Sequence, residues 1–314
     1  MEIDVIIPVY KPGKELFVLL DKLKGQSWPV HEIILMNTEE KYFLELVQDV
    51  SGFRKKYPNV QVHHLAKEEF DHGGTRRRGV EYSKGQVFLC MTQDAMPVDP
   101  FLVERLAGSL TEDVAVAYAR QLPGTDSSEF ERASRRFNYP EASRKKTAGD
   151  MEALGIKTFF CSNVCAAYRR DVYEELGGFV EHAIFNEDMI YAAGAVKAGY
   201  AVAYAAEAQV IHSHNYTNMM QLRRNFDLGV SQADHPEVFG AVASEREGKR
   251  LVGETWKYLK SEGKLYKFPG FCVQCGFKYA GYLLGRHYHR LPAGWILRIT
   301  TNKEYWKSFF TITS

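Results

Sequence analysis

Apolar segments alternate with helical patterns along the first 120 residues, and this alternation limits the folds open to the chain. The strand candidates are short and rich in Val, Ile and Leu, and they span residues 3–7, 32–36, 60–65, 87–91 and 114–119. Between the first two, Leu16, Leu19, Leu20 and Leu23 recur on one helical face, and Gly25 follows as a stop signal. The repeated strand–helix–strand pattern predicts an α/β fold with a mostly parallel central sheet and flanking helices.

Length and charge divide the chain into two predicted parts. With 314 residues, 45% of them hydrophobic, it can bury one large α/β core plus an appendage. We predict a domain over residues 1–240 and a helical C-terminal extension over 241–314. Residues 244–314 hold 13 Lys and Arg against 5 Asp and Glu, whereas the body holds 27 against 34. An acidic body and a basic tail without a recognisable motif disfavour nucleic-acid binding.

The remaining composition favours a cytoplasmic, reducing environment. Residues 1–4 run straight into the apolar segment Val5-Ile6-Ile7 with no basic leader, and no apolar run approaches the roughly 20 residues of a spanning helix. Five cysteines without framework spacing suit reduced thiols. Cys272 and Cys275 form a C-x-x-C followed by His287 and His289, but the spacing of a structural zinc site is missing. Two buried thiols are the favoured interpretation, with zinc as the alternative.

Polar or conformationally special residues follow four of the predicted strands. Open parallel sheets bind ligands at the carboxyl ends of their strands, so these residues are candidates for one site. They are Pro8-Val9-Tyr10, Asn37-Thr38-Glu39, the His72-Gly73-Gly74 turn and Gln93-Asp94.

The run from Phe70 to Asp94 combines glycines, three arginines and an acid. Gly73 and Gly74 allow close approach of a backbone to a ligand, and the three consecutive arginines at 76–78 supply fixed positive charge. The spacing matches neither the dinucleotide-binding G-x-G-x-x-G nor the P-loop motif. The alternative is a surface turn before a solvated, basic helix start. Basic side chains at the positive end of a helix dipole repel it, and a bound phosphate would remove that repulsion.

Acids and histidines further along the chain offer catalytic and metal chemistry. Glu187 and Asp188 open a helical pattern. They are either charges that stabilise the helix end or a general base with its orienting neighbour. His212 and His214 alternate on a predicted strand and would share one face of it. They are either metal ligands or packed side chains. The Asp94 carboxylate could coordinate Mg²⁺ or Mn²⁺, and the alternative is that it caps a helix or turn.

A polar segment over residues 122–157 interrupts the regular pattern. It contains paired basic residues and several Gly, Ser and Asp. The sequence leaves open a functional loop that orders over a ligand and a solvated helical excursion.

Taken in order, these motifs resemble family 2 glycosyltransferases with the GT-A fold. The stretches FDHGGTR, TQDA and HSHNY are most similar to bacterial rhamnosyltransferases, and the resemblance spans about residues 1–240. It implies a Rossmann-like GT-A sheet and an inverting enzyme that uses Mg²⁺ or Mn²⁺ and a nucleotide sugar, dTDP-L-rhamnose. The implied acceptor is a saccharide or polyprenyl-linked saccharide in cell-surface polysaccharide synthesis.

The resemblance also implies a role for particular residues. Pro8, Val9 and Tyr10 would line the nucleoside pocket, and Asp94 would match the last acid of the family's D-x-D. Asp188 would match the catalytic base, His212 a metal ligand, and Asn163 would lie near the donor sugar or acceptor. The residues implied to face the base and diphosphate are His72, Gly73, Gly74, Thr75, Arg76 and Arg77.

Two departures from the family pattern concern the donor side. Asn37 replaces the usual Asp that holds the base, and it can still accept a hydrogen bond from a pyrimidine N3–H. Thr92-Gln93-Asp94 retains a single acid of the D-x-D.

Alternatives to a rhamnosyltransferase remain. They are a transferase for UDP-glucose, UDP-galactose or UDP-N-acetylglucosamine, and a silent sugar-nucleotide binding module. Retention of Asp94, Asp188 and His212 together argues against the silent module. The aromatic residues of the basic tail could contact an anionic membrane, or pack on the body or across a homodimer, which we favour. These aromatic residues are Trp256, Tyr258, Phe271, Tyr282, Trp295, Trp306, Phe309 and Phe310.

Overall fold

The computed structural model describes residues 1–240 and 245–313, which form two compact units. The first unit comprises residues 1–121, 141–182 and 187–212. The second comprises residues 122–140, 183–186 and the described part of 213–314. The predicted domain boundary after residue 240 adjoins residues 241–244, which lie outside the described residues, and it stays a prediction.

A mixed sheet of nine strands forms the centre of the described first unit. Eight strands lie in the order β3-β2-β1-β4-β8-β6-β9-β5, and β7 pairs with β9. The first four are mutually parallel, whereas β8 is antiparallel to β4 and β6. The predicted α/β fold is confirmed. The strands are β1 (Ile3–Tyr10), β2 (Ile33–Thr38), β3 (Val60–Leu65), β4 (Val87–Met91), β5 (Met96–Pro97), β6 (Val114–Leu122), β7 (Arg144–Lys146), β8 (Cys165–Arg169) and β9 (Ala201–Ile211).

Helices cover this sheet because the strands are apolar on both faces. Every residue of β2 and β4 is buried, as expected for central parallel strands. The predicted leucine face of the first helix is fully buried, and the Gly25 N–H donates to the carbonyl of Asp21 at the helix end. The helices are α1 (Glu15–Lys24), α2 (Glu40–Leu46), α3 (Val50–Lys56), α4 (His72–Tyr82), α5 (Leu102–Gly108), α7 (Met151–Leu154), α8 (Arg170–Glu175) and α9 (Glu187–Lys197).

The glycine-rich stretch predicted as a turn is the first turn of α4. Asp71 caps the helix, and its carboxylate accepts a hydrogen bond of 2.7 Å from the Gly74 N–H. Gly79 lies where a Cβ would overlap the Ile6 side chain. Because this glycine lets α4 approach the sheet closely, the basic stretch is held on a rigid element.

The strand predicted to carry His212 and His214 is β9, which ends at Ile211, one residue before His212. No turn-forming residue interrupts its Ala- and Val-rich sequence. His212 and His214 therefore do not alternate on a strand, and that prediction is wrong. Beyond His212, polar side chains replace the ladder: Ser213 Oγ accepts from the Gly124 N–H at 3.0 Å.

The second unit is helical apart from the end of β6 in its described residues. Its helices are α6 (Glu129–Asn138), α10 (Asn218–Asp234), α11 (Pro236–Phe239), α12 (Glu245–Ser261), α13 (Phe268–Arg286), α14 (Ala293–Ile299) and α15 (Lys303–Thr313). The polar segment 122–157 thus contains α6, β7 and α7. The buried apolar cluster of this unit consists of Ile184, Phe226, Val230, Tyr288, Ile296 and Trp306.

Glycines bring α10 and α13 into backbone contact. A Cβ at Gly281 would overlap the carbonyl of Leu222, and one at Gly285 would overlap the carbonyl of Phe226. The opposite side of α13 faces outward, so Cys272 is exposed and Cys275 is half-buried. The prediction of two buried thiols is therefore wrong. No helix among the described residues has the length and apolarity needed to span a membrane.

Replacing Gly285 by Ala should destabilise the second unit by about 1–3 kcal/mol, because the added methyl must separate α10 from α13. Gly276→Ala is the matched control on the same helix, since a Cβ added there would meet no atom of the described residues within 4 Å. Urea unfolding followed by circular dichroism measures both. Equal stability of the two variants would contradict the packing role of Gly285.

Candidate active site

Gln93 joins the ends of two parallel strands. Its side-chain carbonyl accepts from the Tyr10 N–H at 3.1 Å, and its amide donates to the Tyr10 carbonyl at 3.0 Å. The amide thereby continues the ladder between β1 and the segment after β4. An acid at this position could accept but not donate, so it is the amide that lets one side chain bond to both backbone groups of Tyr10.

Strand register brings Asp94 beside His212. Met96 pairs with Ile211 in the antiparallel ladder of β5 and β9, and the two candidate ligands lie just outside that pair. The His212 Nε2 is 3.6 Å from Asp94 Oδ1, with His212 buried and Asp94 partly exposed. The predicted pairing of a carboxylate with an imidazole therefore exists in the first unit.

Gln121 fixes the imidazole of His212. The Gln121 Oε1 lies 3.0 Å from His212 Nδ1, and its Nε2 donates to Ser162 Oγ at 2.9 Å. Because the amide donates at one end, its oxygen accepts from Nδ1–H, which places the lone pair on the Nε2 beside Asp94. One carboxylate oxygen and one oriented imidazole nitrogen fit Mn²⁺ or Mg²⁺, with further oxygens supplied by a ligand.

Asp188 is held at the first turn of α9 by backbone amides. Its Oδ2 accepts from the Asn163 N–H at 2.9 Å, and its Oδ1 accepts from the Met189 N–H at 2.7 Å. The segment carrying Asn163 is in turn tied to the end of β4, where the Thr92 N–H donates to the Val164 carbonyl at 3.1 Å. The two predicted acids, Asp94 and Asp188, are thus anchored to neighbouring chain segments.

Glu187 is the buried neighbour of this carboxylate. It forms an ion pair of 3.0 Å with Arg76, and both side chains are only 6% exposed. The Asn163 amide donates to Glu187 Oε1 at 3.0 Å. Although burial opposes its charge, the Arg76 guanidinium holds the pKa of Glu187 below its usual range, helped by His72 and Asn163. The orienting role predicted for Glu187 stays a prediction.

Burial and the adjacent Glu187 charge raise the pKa of Asp188 to about 7. The Asn163 and Met189 amides and Arg76 act in the opposite direction by favouring the carboxylate. A carboxyl with this proton affinity suits a general base near neutral pH.

Two supporting side chains were missed by sequence reasoning. Tyr168 donates to Asn163 Oδ1 at 2.7 Å, which directs the amide of Asn163 toward Glu187. The buried Lys146 donates to the carbonyls of Lys157 and Phe160, so it fixes the segment that leads to Asn163. Neither residue stands near a motif, and their roles depend on pairings distant in sequence.

Asn37 lies beside the end of β1 with an unsatisfied acceptor. It is fully buried and pairs with Val9 across the parallel ladder. Its Nδ2 lies 2.9 Å from His64 Nδ1, and its Oδ1 has no hydrogen-bond partner among the described residues. Buried acceptors without partners are rare, so this oxygen is a candidate ligand contact.

The exposed end of β1 carries an aromatic and a cationic group. The Tyr10 ring packs edge-on against Tyr42 with centroids 5.6 Å apart, and Lys11 lies over both rings. Glu39 pairs with Lys41 at 2.8 Å, and its predicted contact with the donor stays a prediction. A surface cleft of about 470 Å³ adjoins the two rings, lined by Lys11, Pro12, Tyr42, Glu45 and Leu46.

The other predicted donor-side residues lie on α4, and both of its predicted donor-side arginines bond to backbone carbonyls. Arg76 also donates to the His72 carbonyl, and Arg77 donates to the carbonyls of Gly177 and Phe179. Thr75 is buried, and its hydroxyl has no partner among the described residues. Gly73 and Gly74 lie in the capped first turn of α4. Their donor contacts stay a prediction.

His214 belongs to the second unit, two residues beyond His212 in the chain. Its ring stacks on Tyr216 with centroids 4.9 Å apart. Its predicted role as a metal ligand stays a prediction.

Sequence comparison relates the chain to known transferases. The family model described as glycosyl transferase family 2 matches residues 4–177. The O-antigen chain rhamnosyltransferase RfbN of Salmonella typhimurium is 36% identical over 98% of this chain and 97% of the relative. The O-antigen chain rhamnosyltransferase WbaN of Salmonella anatum is 34% identical over 97% of this chain and 95% of the relative.

Solved structures share the fold. A mannosyltransferase from Pyrobaculum calidifontis, in complex with GDP-Man and Mn²⁺, has a TM-score of 0.61 at 11% identity, covering 92% of this chain and 88% of the other. TarS of S. aureus residues 1–349, with UDP-GlcNAc, has a TM-score of 0.52 at 14% identity, covering 92% of each chain. The GT-A fold and the resemblance stated from the motifs are confirmed. Matched by the family model over more than half its length, the chain belongs to glycosyl transferase family 2 and is a glycosyltransferase.

Proposed function

We propose that the protein transfers L-rhamnose, with inversion, from dTDP-L-rhamnose to a saccharide or lipid-linked saccharide during cell-surface polysaccharide synthesis. The observation that carries the transfer chemistry is the Asp188 carboxyl, oriented by two backbone amides and with a pKa of about 7. The names of the two Salmonella relatives support the sugar.

In this proposal Asp188 is the general base. Its carboxylate takes the proton of an acceptor hydroxyl as that oxygen forms a bond to the anomeric carbon. The bond from the anomeric carbon to the diphosphate oxygen breaks on the opposite face, and dTDP leaves with the electron pair. Attack opposite the leaving group inverts the anomeric configuration. Glu187, Asn163 and Arg76 keep the base in position.

The donor base would bind near Asn37. A pyrimidine N3–H would satisfy the buried Asn37 Oδ1, with Val9 and Tyr10 on the adjacent strand. Thymine and uracil share this donor group, so the contact also fits a UDP-sugar. The preference for dTDP rests on the relatives, and a UDP-hexose donor remains the alternative.

Asp94 and His212 would hold the divalent cation, and His214 is proposed as a third ligand. A cation bound there would offset negative charge on the diphosphate. The hydrogen bond from His212 Nδ1 to Gln121 keeps the His212 Nε2 directed toward Asp94. With only one acid in this set, we expect cation affinity to rise when diphosphate oxygens complete the coordination.

Asp188→Asn should lower turnover by about 10²–10⁴-fold and leave the dissociation constant for dTDP nearly unchanged, because the amide cannot accept the proton. Release of dTDP from dTDP-rhamnose with a saccharide acceptor measures turnover, and calorimetry measures binding. Asp113→Asn is the matched control, since Asp113 is exposed and pairs with Lys145. Near-normal turnover in folded Asp188→Asn would remove Asp188 from the mechanism.

The acidic limb of the rate profile should fall as pH drops through about 7, because protonated Asp188 cannot act as a base. Glu187→Gln should move this limb to lower pH, since the Glu187 charge raises the pKa of Asp188. Glu141→Gln, at a side chain that is 91% exposed, should leave the limb in place. A limb that does not move in Glu187→Gln would contradict the electrostatic coupling.

Mn²⁺ should strengthen dTDP binding in calorimetry, and Asp94→Ala should abolish that gain. Gln121→Ala should weaken the Mn²⁺ affinity about 10–100-fold by releasing the His212 ring. Asp113→Ala serves as the control for loss of a carboxylate. Unaltered Mn²⁺ dependence in Asp94→Ala would count against the proposed site, and tighter binding of UDP than of dTDP would favour the alternative donor.

A further inference from the structure

One side of α13 is exposed and carries no charge. Six residues at helical spacing form this outer stripe of α13, and the structure shows every one of them exposed. Val273, Tyr279 and Leu283 are 53%, 50% and 38% exposed, which is unusual for residues of this size on one helix. The full stripe consists of Cys272, Val273, Gly276, Tyr279, Ala280 and Leu283.

The charged residues of α13 point the other way. Lys278 lies on the side that packs within the second unit, where burial lowers its pKa, and Arg286 donates to the Gln232 carbonyl at 3.2 Å. The same inner side carries Gly281 and Gly285, which contact the backbone of α10. A helix facing water would normally reverse this distribution, with the lysine outside and the apolar residues inside.

Aromatic residues extend the apolar surface at the start of α13. Tyr266 is 76% exposed in the turn just before the helix. Trp256 is 43% exposed, and its ring packs edge-on against Phe268 with centroids 4.7 Å apart. Tyr and Trp are the side chains most favoured at the boundary between lipid headgroups and acyl chains.

The chain around the stripe is cationic throughout. Residues 263–303 contain seven Lys and Arg and no Asp or Glu. Arg290, Arg298 and Lys303 are exposed, whereas Lys264 is paired with Glu129. An uncharged stripe within an acid-free, basic segment complements an anionic lipid surface, which attracts cations and accepts shallow apolar side chains.

We propose that the outer stripe of α13 is a membrane-docking surface that binds anionic lipid headgroups and inserts Val273, Tyr279 and Leu283 at the interface. A second copy of this chain would bury the apolar stripe equally well, but it would bring two acid-free basic segments together. Like charges at such an interface are unfavourable, whereas phosphate headgroups neutralise them.

Co-sedimentation of the full chain with vesicles tests the proposal. We expect binding to phosphatidylcholine vesicles that contain phosphatidylglycerol, little binding to pure phosphatidylcholine, and release at high salt. The double variant Val273→Asp, Leu283→Asp should partition about tenfold or more weakly. Val18→Asp with Leu44→Asp is the matched control, because these residues are 50% and 44% exposed on other helices. Equal binding of both double variants overturns the proposal.

The exposed Cys272 gives a second measurement that does not depend on destabilising substitutions. A polarity-sensitive fluorophore on Cys272, in a Cys275→Ser background, should shift to shorter wavelength when anionic vesicles are added. No shift overturns the proposal. A wild-type dimer that the Val273→Asp, Leu283→Asp variant dissociates without vesicles also overturns it in favour of a second copy. No assay uses donor or acceptor, so these outcomes are independent of the proposed transfer.

Discussion

The buried ion pair between Arg76 and Glu187 connects the two chemical halves of the site. Arg76 lies on α4, whose first turn carries the predicted donor-side residues, and Glu187 begins α9 beside Asp188. Removing one partner of such a pair typically costs about 3–5 kcal/mol, because the other charge is left buried without compensation. The same pair limits how strongly Glu187 acts on its neighbour. Arg76 therefore holds Glu187 in place and, together with burial, the Glu187 charge and two backbone amides, helps to set the proton affinity of Asp188.

Amide side chains perform much of the remaining alignment. Gln93 continues the ladder to Tyr10, Gln121 orients His212, and Asn163 links Glu187 to Tyr168 while its backbone holds Asp188. An amide donates and accepts at once, so each one fixes two groups without adding charge. Asp94 is the acid that lies beside the oriented His212, with its Oδ1 3.6 Å from Nε2.

Periodicity alone predicted the elements whose burial is set by local sequence. The leucine face of α1 and the apolar runs of β2 and β4 are examples, because continuous burial of apolar residues leaves few other structures. Prediction failed where polar contacts decide the backbone. His212 and His214 alternate as strand residues would, yet Ser213 bonds to Gly124 and the ladder ends. On α13 the exposure of Cys272 follows from glycine packing on the other side.

The sequence by itself determined the α/β class, the family and the chemical types at the strand ends. These follow from short-range patterns and from motifs whose order is specific even though each is weak alone. Only the tertiary structure decided that Arg76 pairs with Glu187 and that Gln121 orients His212. It also decided that Lys278 points inward while an apolar stripe points outward. The reason is physical: each of these outcomes depends on residues brought together across distant elements, and burial, which sets their energies, is a property of the folded chain.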